Sequence, residues 1–548
     1  MKEMNCQSSF LDFVGIWWIR LSFLYKIVSF CCFYVNCFLS LWKFGLRCEA
    51  TRFYIDVNMK NTENNRIWLI GCVGLFVSSY SDVEASTEEH PNLLVVMADQ
   101  FRGDALGFRG KEAVKTPNLD QFAQEAVVMT QAVSGYPVSS PARGMFLSGA
   151  YPHENGVLTN CQSESAHQGV ELRQDLTCWS DVLAQAGYAT AYIGKWHLDK
   201  PYTPYVDCSN NKGEMAWNEW CPPERRHGFD YWVAYGTYDR HLRPLYWNKD
   251  SKRDEFYYVD QWGPEHEADL AIQYLDSIRS TGKPFAMMVS MNPPHTGYEQ
   301  VPDRYKQEYA TLNVDSIANS LPNLMQSDEK YIQLFKRSVA NYYACITGVD
   351  EQFGRIIQVL KKNGQYDNTI VVFVSDHGDS MGMHNNIGKN IFYEEAMRVP
   401  FLISYGKQLT PRIDQDLLIS LEDFCPTVLS LMGFQQEIPA TVQTRDLSEQ
   451  IRGNREKMPS SQLYMFYGAV NETGKNLTTG ARGVRTLQYT YAIRYKDGVI
   501  TEEHLYDRKT DPFQLNNMAG KHPELVKQLR TELKQRMEAV HDPALSVL

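Results

Sequence analysis

Two pairs of residues in this chain carry side chains that could bind a metal ion. Asp99 and Gln100 follow one apolar run, and Asp376 and His377 follow another. Carboxylate and amide oxygens are typical ligands of Ca²⁺, while the imidazole of His377 keeps Mn²⁺ as an alternative. Either pair alone would more often be a strand-ending turn or a helix cap. The two pairs together favour one shared metal site.

The segment SSPARGMFLSG, residues 139–149, combines a serine with the start of a helix and an arginine. Pro141 stands where a first helical turn tolerates proline. Small neighbours let an anion approach the backbone N–H groups of a helix start, and the guanidinium of Arg143 can hold anionic oxygens. The segment predicts an anion-binding helix start that contains Ser139. An ordinary Ser-Pro helix start is the alternative.

Five further residues could act on an anionic substrate, because lysine supplies positive charge and histidine can transfer a proton near neutral pH. They are Lys195, His197, His295, His384 and Lys389. Seen alone, Lys195, His197 and Lys389 would each more often be a surface or core residue. His384 in particular could equally be a loop residue held by hydrogen bonds.

The elements that must position these groups are four apolar runs without alternation of polar residues, at 92–97, 189–193, 285–290 and 370–374. Such runs are typical of strands buried on both faces. Helical patterns lie between them, over 119–128, 176–186, 267–279 and 331–363. The order predicts an α/β fold with a mostly parallel sheet and helices on both faces. The polar groups then lie at the carboxyl ends of the strands, where such sheets bind ligands.

The pattern changes after Gly433, which predicts a domain boundary. We expect a catalytic α/β domain over 88–433, a polar linker over 434–460 and a C-terminal α+β subdomain over 461–548. Short β segments fill most of that subdomain. An amphipathic helix over 524–540 carries leucines at i, i+4 spacing.

Two export-type patterns stand in series at the N-terminus. Residues 59–85 have the basic start, apolar run and small residues of a signal peptide. The apolar run in 27–42 is slightly short for a membrane-spanning helix. We therefore interpret 1–58 as an over-extended reading frame, with a membrane anchor as the alternative. The segment ending at Cys72 resembles a lipoprotein cleavage box, so the expected locations are the periplasm, the exterior or, if lipidated, the outer membrane.

The net charge and the cysteines exclude some classes of function. A formal net charge of -11, without a basic stripe, argues against nucleic-acid binding. In an exported chain we expect Cys208 and Cys221 to form a disulfide. Cys345 and Cys425 have the surroundings of small buried residues, and no cysteine spacing matches a zinc site.

Segment 139–149 resembles the maturation signature of the sulfatases at every fixed position. Other segments are similar to further blocks of that family: Gly194–Leu198, Ser375–Asp379 with Gly382, His384, Gly388 and Lys389, the His-Thr pair at His295, and the late motifs 423–427 and 505–512. The chain thus resembles a bacterial serine-type, formylglycine-dependent sulfatase of the alkaline phosphatase superfamily over about residues 91–518. It departs from many members in its metal pairs, Asp-Gln and Asp-His, which are similar to those of phosphonate monoester hydrolases and of some sulfatases.

The resemblance implies a set of roles. Ser139 would be oxidised to formylglycine by an anaerobic-type sulfatase-maturing enzyme and would join the metal ligands. Sulfate oxygens would be held by Arg143, Lys195 and Lys389. His295 would protonate the leaving oxygen, and His197 would be the base that releases the bound sulfate.

A loop rich in aromatic and polar residues, 238–247, could contact sugar rings. Its candidate contacts are Arg240, His241, Arg243 and Trp247, with His384 as a further candidate. A packed surface hairpin is the alternative. The expected substrate is a sulfated carbohydrate with galactose or N-acetylgalactosamine. The rival functions are phosphonate monoester or phosphodiester hydrolysis, and glycan binding without catalysis if Ser139 stays unconverted.

Overall fold

The computed structural model describes residues 90–470 and 477–548, which belong to one compact unit. The expectations for 1–58, for 59–85 and for Cys72 fall outside the described residues. Within the described part, no helix combines the length and apolar character that crossing a membrane needs.

Fourteen strands lie in the described ranges. They are β1 Asn92–Ala98, β2 Val127–Met129, β3 Ala189–Lys195, β4 Tyr231–Tyr235, β5 Leu245–Asn248, β6 Tyr257–Tyr258, β7 Phe285–Met291, β8 Thr369–Ser375, β9 Phe401–Tyr405, β10 Arg412–Asp414, β11 Gln462–Val470, β12 Leu477–Arg485, β13 Tyr489–Lys496 and β14 Val499–Asp507.

The first ten strands form one mixed sheet in the order β10-β2-β9-β8-β1-β7-β3-β4-β5-β6. The four predicted runs are its centre, β8-β1-β7-β3, and all three pairings among them are parallel. Antiparallel pairings occur only toward the two sides, at β2-β9, β8-β9, β4-β5 and β5-β6. The predicted fold class, a mostly parallel α/β sheet with a small C-terminal subdomain, is confirmed.

The central strands are apolar on both faces because the sheet has a core on each side. In β1, Leu93, Val95 and Met97 pack into one cluster, and Leu94 and Val96 pack into the other. All five side chains are fully buried. Burial on both faces removes the alternation that a half-exposed strand shows.

The α-helices of the described ranges are α1 Pro117–Phe122, α2 Ser139–Ser148, α3 Pro152–Asn155, α4 Ser163–Ala166, α5 Trp179–Gln185, α6 Gly263–Arg279, α7 Asp303–Gln307, α8 Val314–Asn319, α9 Pro322–Met325, α10 Glu329–Lys362, α11 Glu394–Met397, α12 Phe424–Leu431, α13 Ser448–Arg452 and α14 Pro523–Ala539. One prediction was wrong in part. The helix expected over 119–128 ends at Phe122, and its apolar last residues enter the sheet as β2.

The C-terminal subdomain is the antiparallel sheet β11-β12-β13-β14 with α14 packed against it. Leu529 and Leu533 of α14 are buried, as the spacing predicted. Their cluster also contains Tyr136 and Met145, from α2 and the segment before it. The subdomain therefore supports the helix on which Ser139 lies.

Two expectations about the connecting regions need correction. Segment 434–460 is a structured connection, because it contains α13 and buries Leu447 and Ile451 in the main core. Cys208 and Cys221 do not form a disulfide. The thiol of Cys208 accepts a hydrogen bond from Asn218 Nδ2 at 3.7 Å, and the thiol of Cys221 donates to the Pro222 carbonyl at 3.7 Å.

Candidate active site

The polar groups predicted at strand ends converge at one edge of the central sheet. Asp99 follows β1, Asp376 follows β8, and Lys195 is the last residue of β3. Because these strands and β7 are adjacent and parallel, their carboxyl ends lie side by side. Helix α2 presents its first residue, Ser139, to the same edge.

Ser139 lies in the middle of this group. Its Oγ is 3.0 Å from His377 Nε2 and accepts a hydrogen bond from Lys389 Nζ at 3.1 Å. Lys389 Nζ also donates to Gln100 Oε1 at 3.2 Å. Ser139 is only 1% exposed because these neighbours cover it.

Three residues present donor atoms suited to a divalent cation. Ligand atoms of Asp99, Asp376 and His377 all lie within 4.8 Å of one another. Within the described part of the chain, the buried Oδ1 of Asp99 has no hydrogen-bond partner, and such an atom is normally satisfied by some partner. His377 Nδ1 lies 2.8 Å from the Gly378 carbonyl. A proton on Nδ1 leaves Nε2 free for a metal, so the residues present fit such an ion.

The electrostatics of the two carboxylates agree with that fit. Burial raises the pKa of Asp376 to about 7, and the nearby charge of Asp99 adds to the effect. Burial also acts to raise the pKa of Asp99, but Lys195, His295 and other cations lower it well below its ordinary value. Two ionised carboxylates this close are stabilised by additional positive charge.

Arg143 has a different position from the one expected. It is 1% exposed, and its guanidinium donates to Asp376 Oδ2 at 3.1 Å and to Asp99 Oδ2 at 3.0 Å. It also donates to the Lys195 carbonyl and to the hydroxyl of Ser290, at 2.9 and 2.6 Å. Arg143 thus orients the two carboxylates, so we do not assign it to sulfate oxygens.

Gln100 is held in one orientation by two residues that the sequence reasoning missed. Its Nε2 donates to Asp379 Oδ2 at 2.8 Å and to the Tyr298 hydroxyl at 3.2 Å. Tyr298 in turn donates to the same Asp379 oxygen at 2.6 Å. Both amide protons are thereby engaged, and Oε1 accepts from Lys389 Nζ, which also donates to Ser139. Asp379 lies in the segment Ser375–Asp379, which is similar to a sulfatase block, but its position in the sequence did not predict a contact with Gln100.

Replacing Asp379 should therefore weaken metal binding. In Asp379→Asn, a neutral amide can also donate to the Gln100 amide and favour the flipped orientation. We expect metal affinity to fall about 10–100-fold, the scale for partners of metal ligands. Metal content after dialysis against graded Ca²⁺ measures it, with Asp367→Asn, in a turn before β8, as the control. Unchanged affinity would show that Gln100 is not a ligand or needs no such support.

His197 is buried beside the site and has unusual geometry. Its backbone φ is 56°, and neither ring nitrogen has a hydrogen-bond partner among the described residues. Its carbonyl accepts from the hydroxyl of Ser140, the neighbour of Ser139, at 2.7 Å. Burial, followed by the charges of Lys195 and Arg143, holds its pKa well below the ordinary value. The neutral imidazole can accept a proton.

His295 follows β7 and two prolines, as expected, and pairs with Asp239, another residue that was missed. His295 Nδ1 lies 3.2 Å from Asp239 Oδ1. The loop is tied further by His241, whose Nε2 lies 3.0 Å from the Thr296 carbonyl. His241 is buried and supports the His295 segment.

Three of the proposed sugar contacts are placed elsewhere. Trp247 is 1% exposed and donates its indole N–H to the Arg253 carbonyl. Arg243 forms an ion pair with Asp260 at 2.8 Å. His384 stacks on Tyr393 with 3.7 Å between ring centroids. The contacts of Trp247 and Arg243 favour the packed-hairpin alternative, and the stacking of His384 favours a loop residue held by its neighbours. Arg240 is exposed next to Asp239.

Comparison with known proteins decides the family. The sulfatase family model matches residues 91–434, which is more than half of the chain and contains all the groups above. The chain belongs to the sulfatase family. A second model, N-sulphoglucosamine sulphohydrolase, C-terminal, matches residues 382–542. The protein is a sulfuric ester hydrolase.

Named sulfatases resemble this one over nearly their whole length. An endo-4-O-sulfatase of Bacteroides thetaiotaomicron is 38% identical over 84% of this chain and 94% of its own. An ulvan-active sulfatase of Formosa agariphila is 33% identical over 82% of each chain. A crystal structure of the Bacteroides fragilis protein yidJ superimposes with a TM-score of 0.80 at 53% identity, over 84% of this chain and 97% of that one.

Proposed function

We propose that this sulfatase removes sulfate from a sulfated glycan, using a formylglycine made from Ser139 and a bound Ca²⁺ ion. The observation that carries the proposal is the position of Ser139, with Oγ 3.0 Å from His377 Nε2 and 3.1 Å from Lys389 Nζ. The residue that the maturation signature marks for oxidation thus touches both a candidate metal ligand and a cation. Two relatives named for carbohydrate substrates, an ulvan-active sulfatase and an N-acetylglucosamine-6-O-sulfatase, support the glycan.

The metal would be held by Asp99, Gln100, Asp376, His377 and the modified residue 139. A divalent ion there makes a hydroxyl group nucleophilic at neutral pH by lowering its pKa. Oxygen ligands outnumber nitrogen in this set, which favours Ca²⁺ over Mn²⁺. Hydrated formylglycine would offer two hydroxyl groups, so that one can attack sulfur and the other can later release the sulfate.

The chain's own residues supply the other steps. Lys389 Nζ is directed at residue 139 and can hold a sulfate oxygen there. Lys195 lies deeper, 2.7 Å from Asp99 Oδ2 and 3.0 Å from Asn292 Oδ1, and adds positive charge to the same pocket. Such fixed charges stabilise the transition state where its charge develops. His197, neutral and unpartnered, is the base that we propose for sulfate release.

His295 is the general acid of this proposal. A sugar alcohol is a poor leaving group and needs a proton as the S–O bond breaks, whereas an activated phenol does not. General acid catalysis contributes about 10²–10⁴-fold. We therefore expect His295→Ala to lose that factor on a sulfated sugar and far less on p-nitrophenyl sulfate, measured as kcat/KM. Equal losses on both substrates would make His295 a binding or structural residue.

The sulfated unit and its surroundings can be tested with a small panel. We propose a sulfated galactose or N-acetylgalactosamine unit, with Arg240 at the rim contacting the glycan. Arg240→Ala should raise KM for a sulfated oligosaccharide and leave p-nitrophenyl sulfate unaffected, with Arg243→Ala as the paired-arginine control. Faster turnover of a phosphonate monoester than of every sulfate ester in the panel would favour the rival activity.

We also propose that the mature protein is exported and that an anaerobic-type sulfatase-maturing enzyme acts before export. This rests on the signal-peptide pattern over 59–85 and on the serine form of the maturation signature. The cleavage site, and lipidation at Cys72, can be determined by sequencing the N-terminus of the protein from the cell envelope. A mature chain beginning at Met1 would contradict export through this segment.

A further inference from the structure

Asp239 is placed as the partner of a histidine that must deliver a proton. Its Oδ1 lies 3.2 Å from His295 Nδ1 and accepts a hydrogen bond from Asn292 Nδ2 at 3.1 Å. The hydroxyl of Thr296 also lies 3.2 Å from His295 Nδ1. Among the described residues, His295 Nε2 has no hydrogen-bond partner. One ring nitrogen thus faces a carboxylate and the other is available to a substrate.

The surroundings keep Asp239 in that position. Gln300 Nε2 donates to its backbone carbonyl at 2.7 Å, and Asn292 bridges its carboxylate to Lys195 through the Oδ1 contact. Burial acts to raise the pKa of Asp239, but the charges of His295 and Lys195 hold it well below the usual range. The carboxylate is therefore a fixed, ionised acceptor.

His295 needs such a partner because its surroundings oppose the charged form. Burial lowers the pKa of His295, and Lys195 and Lys389 lower it further, whereas Asp239 and Asp99 act in the opposite direction. An imidazole that is subject to the charges of two lysines cannot readily hold the proton that it must donate. Among the described residues, Asp239 is the only one whose carboxylate directly contacts the ring of His295.

We propose that Asp239 is a positioning residue for leaving-group protonation: its carboxylate binds His295 Nδ1–H and thereby directs a protonated Nε2 at the bridging oxygen of the sulfate ester. This inference rests on the proposed role of His295 as general acid. The Nε2 proton moves to the bridging oxygen while the S–O bond breaks and its electron pair goes to that oxygen. His295 ends as the neutral imidazole with its proton on Nδ1, and Asp239 stays ionised throughout.

Asp239→Asn tests the proposal because an amide keeps the shape but can donate to Nδ1 and favour the wrong tautomer. We expect kcat/KM to fall about 10–100-fold on a sulfated N-acetylgalactosamine, on the scale of lost supporting contacts. On p-nitrophenyl sulfate it should fall less than about threefold, since that leaving group needs little protonation. Asp260→Asn, which alters an exposed carboxylate paired with Arg243, is the matched control and should change neither value.

A double-mutant cycle separates positioning from other roles. In the His295→Ala background, Asp239→Asn should cause no further loss, because the residue through which it acts is gone. A full additional loss, or equal losses on the two substrates, would overturn the proposal and make Asp239 a substrate-binding or structural residue. Thermal midpoints of all variants identify a folding defect, and Asp239→Glu, which keeps the carboxylate, should recover part of the sugar-sulfate activity.

The proposed function and this inference fail in different ways. If the parent enzyme hydrolyses p-nitrophenyl sulfate but His295→Ala shows no preference for the aryl substrate, the general acid is a residue other than His295. The inference about Asp239 then fails as well. If the parent enzyme cleaves neither sulfate ester after verified oxidation of Ser139, the proposed function itself fails. Neither result resembles the pattern expected for Asp239→Asn alone.

Discussion

Ser139→Ala should abolish sulfate release while leaving the fold intact. The side chain becomes one that cannot be oxidised or attack sulfur, and removal of a covalent nucleophile lowers rates by about 10⁴-fold or more. The lost contacts are those of Oγ with His377 and Lys389, and alanine is accommodated at a helix start. Sulfate release from p-nitrophenyl sulfate and the thermal midpoint measure the two halves of the expectation.

Ser180→Ala is the matched control for that variant. Ser180 is also fully buried near the start of a helix, and its hydroxyl has no hydrogen-bond partner in the part of the chain that the structure describes. It should keep activity close to that of the parent. Near-parental turnover by Ser139→Ala would instead mean that another group attacks sulfur, and the formylglycine mechanism would have to be abandoned.

Removal of divalent ions should reduce sulfate release about as strongly as Ser139→Ala does. Dialysis against a chelator leaves Asp99 and Asp376 as close carboxylates with only protein cations beside them, so activity should be lost. Ca²⁺ should restore activity best. Because an ion that binds only the folded state stabilises it, Ca²⁺ at about 100 times its Kd should add about 2.7 kcal/mol to the free energy of unfolding. Thermal midpoints at graded Ca²⁺ test this independently of activity.

Restoring activity with Ca²⁺, Mn²⁺ or Zn²⁺ shows whether the oxygen ligands or the nitrogen ligand set the metal preference. Restoration by Mn²⁺ or Zn²⁺ but never by Ca²⁺ would show that the nitrogen of His377 sets the preference. An unchanged rate after complete removal of metal, verified by elemental analysis, would contradict the site altogether. Our account expects Asp376→Asn to lose the stabilisation that Ca²⁺ gives to the parent enzyme. If Asp376→Asn kept that stabilisation, Asp376 would not be a metal ligand.

The sheet and the residues on its strand ends could be predicted from the sequence because both leave local patterns. The four uninterrupted apolar runs are consequences of burial on two faces, and Asp99, Asp376 and Lys195 lie where those runs end. The helix predicted past Phe122 was wrong because β2 is short and apolar, and such runs read alike as strand or helix.

The contacts that orient the site could not be predicted in this way. Asp239 and Tyr298 lie on loops, and their pairing with His295 and Gln100 depends on how distant loops fold together. Arg143 looked like an anion ligand because a guanidinium suits carboxylate and sulfate equally well. In the structure, the guanidinium of Arg143 donates its hydrogen bonds to the carboxylates of Asp376 and Asp99. Trp247 looked like a sugar platform, but an aromatic side chain in a loop can equally be buried, as this one is.

The most direct test of the account is the mass of the peptide that carries Ser139. Trypsin should release residues 116–143, which contain no internal lysine or arginine. In protein produced with an anaerobic-type maturing enzyme, we predict a peptide lighter by two hydrogen atoms, with fragment ions that place the loss at residue 139. The fraction converted should scale with activity. Fully active enzyme in which this peptide carries only unmodified serine would contradict the account.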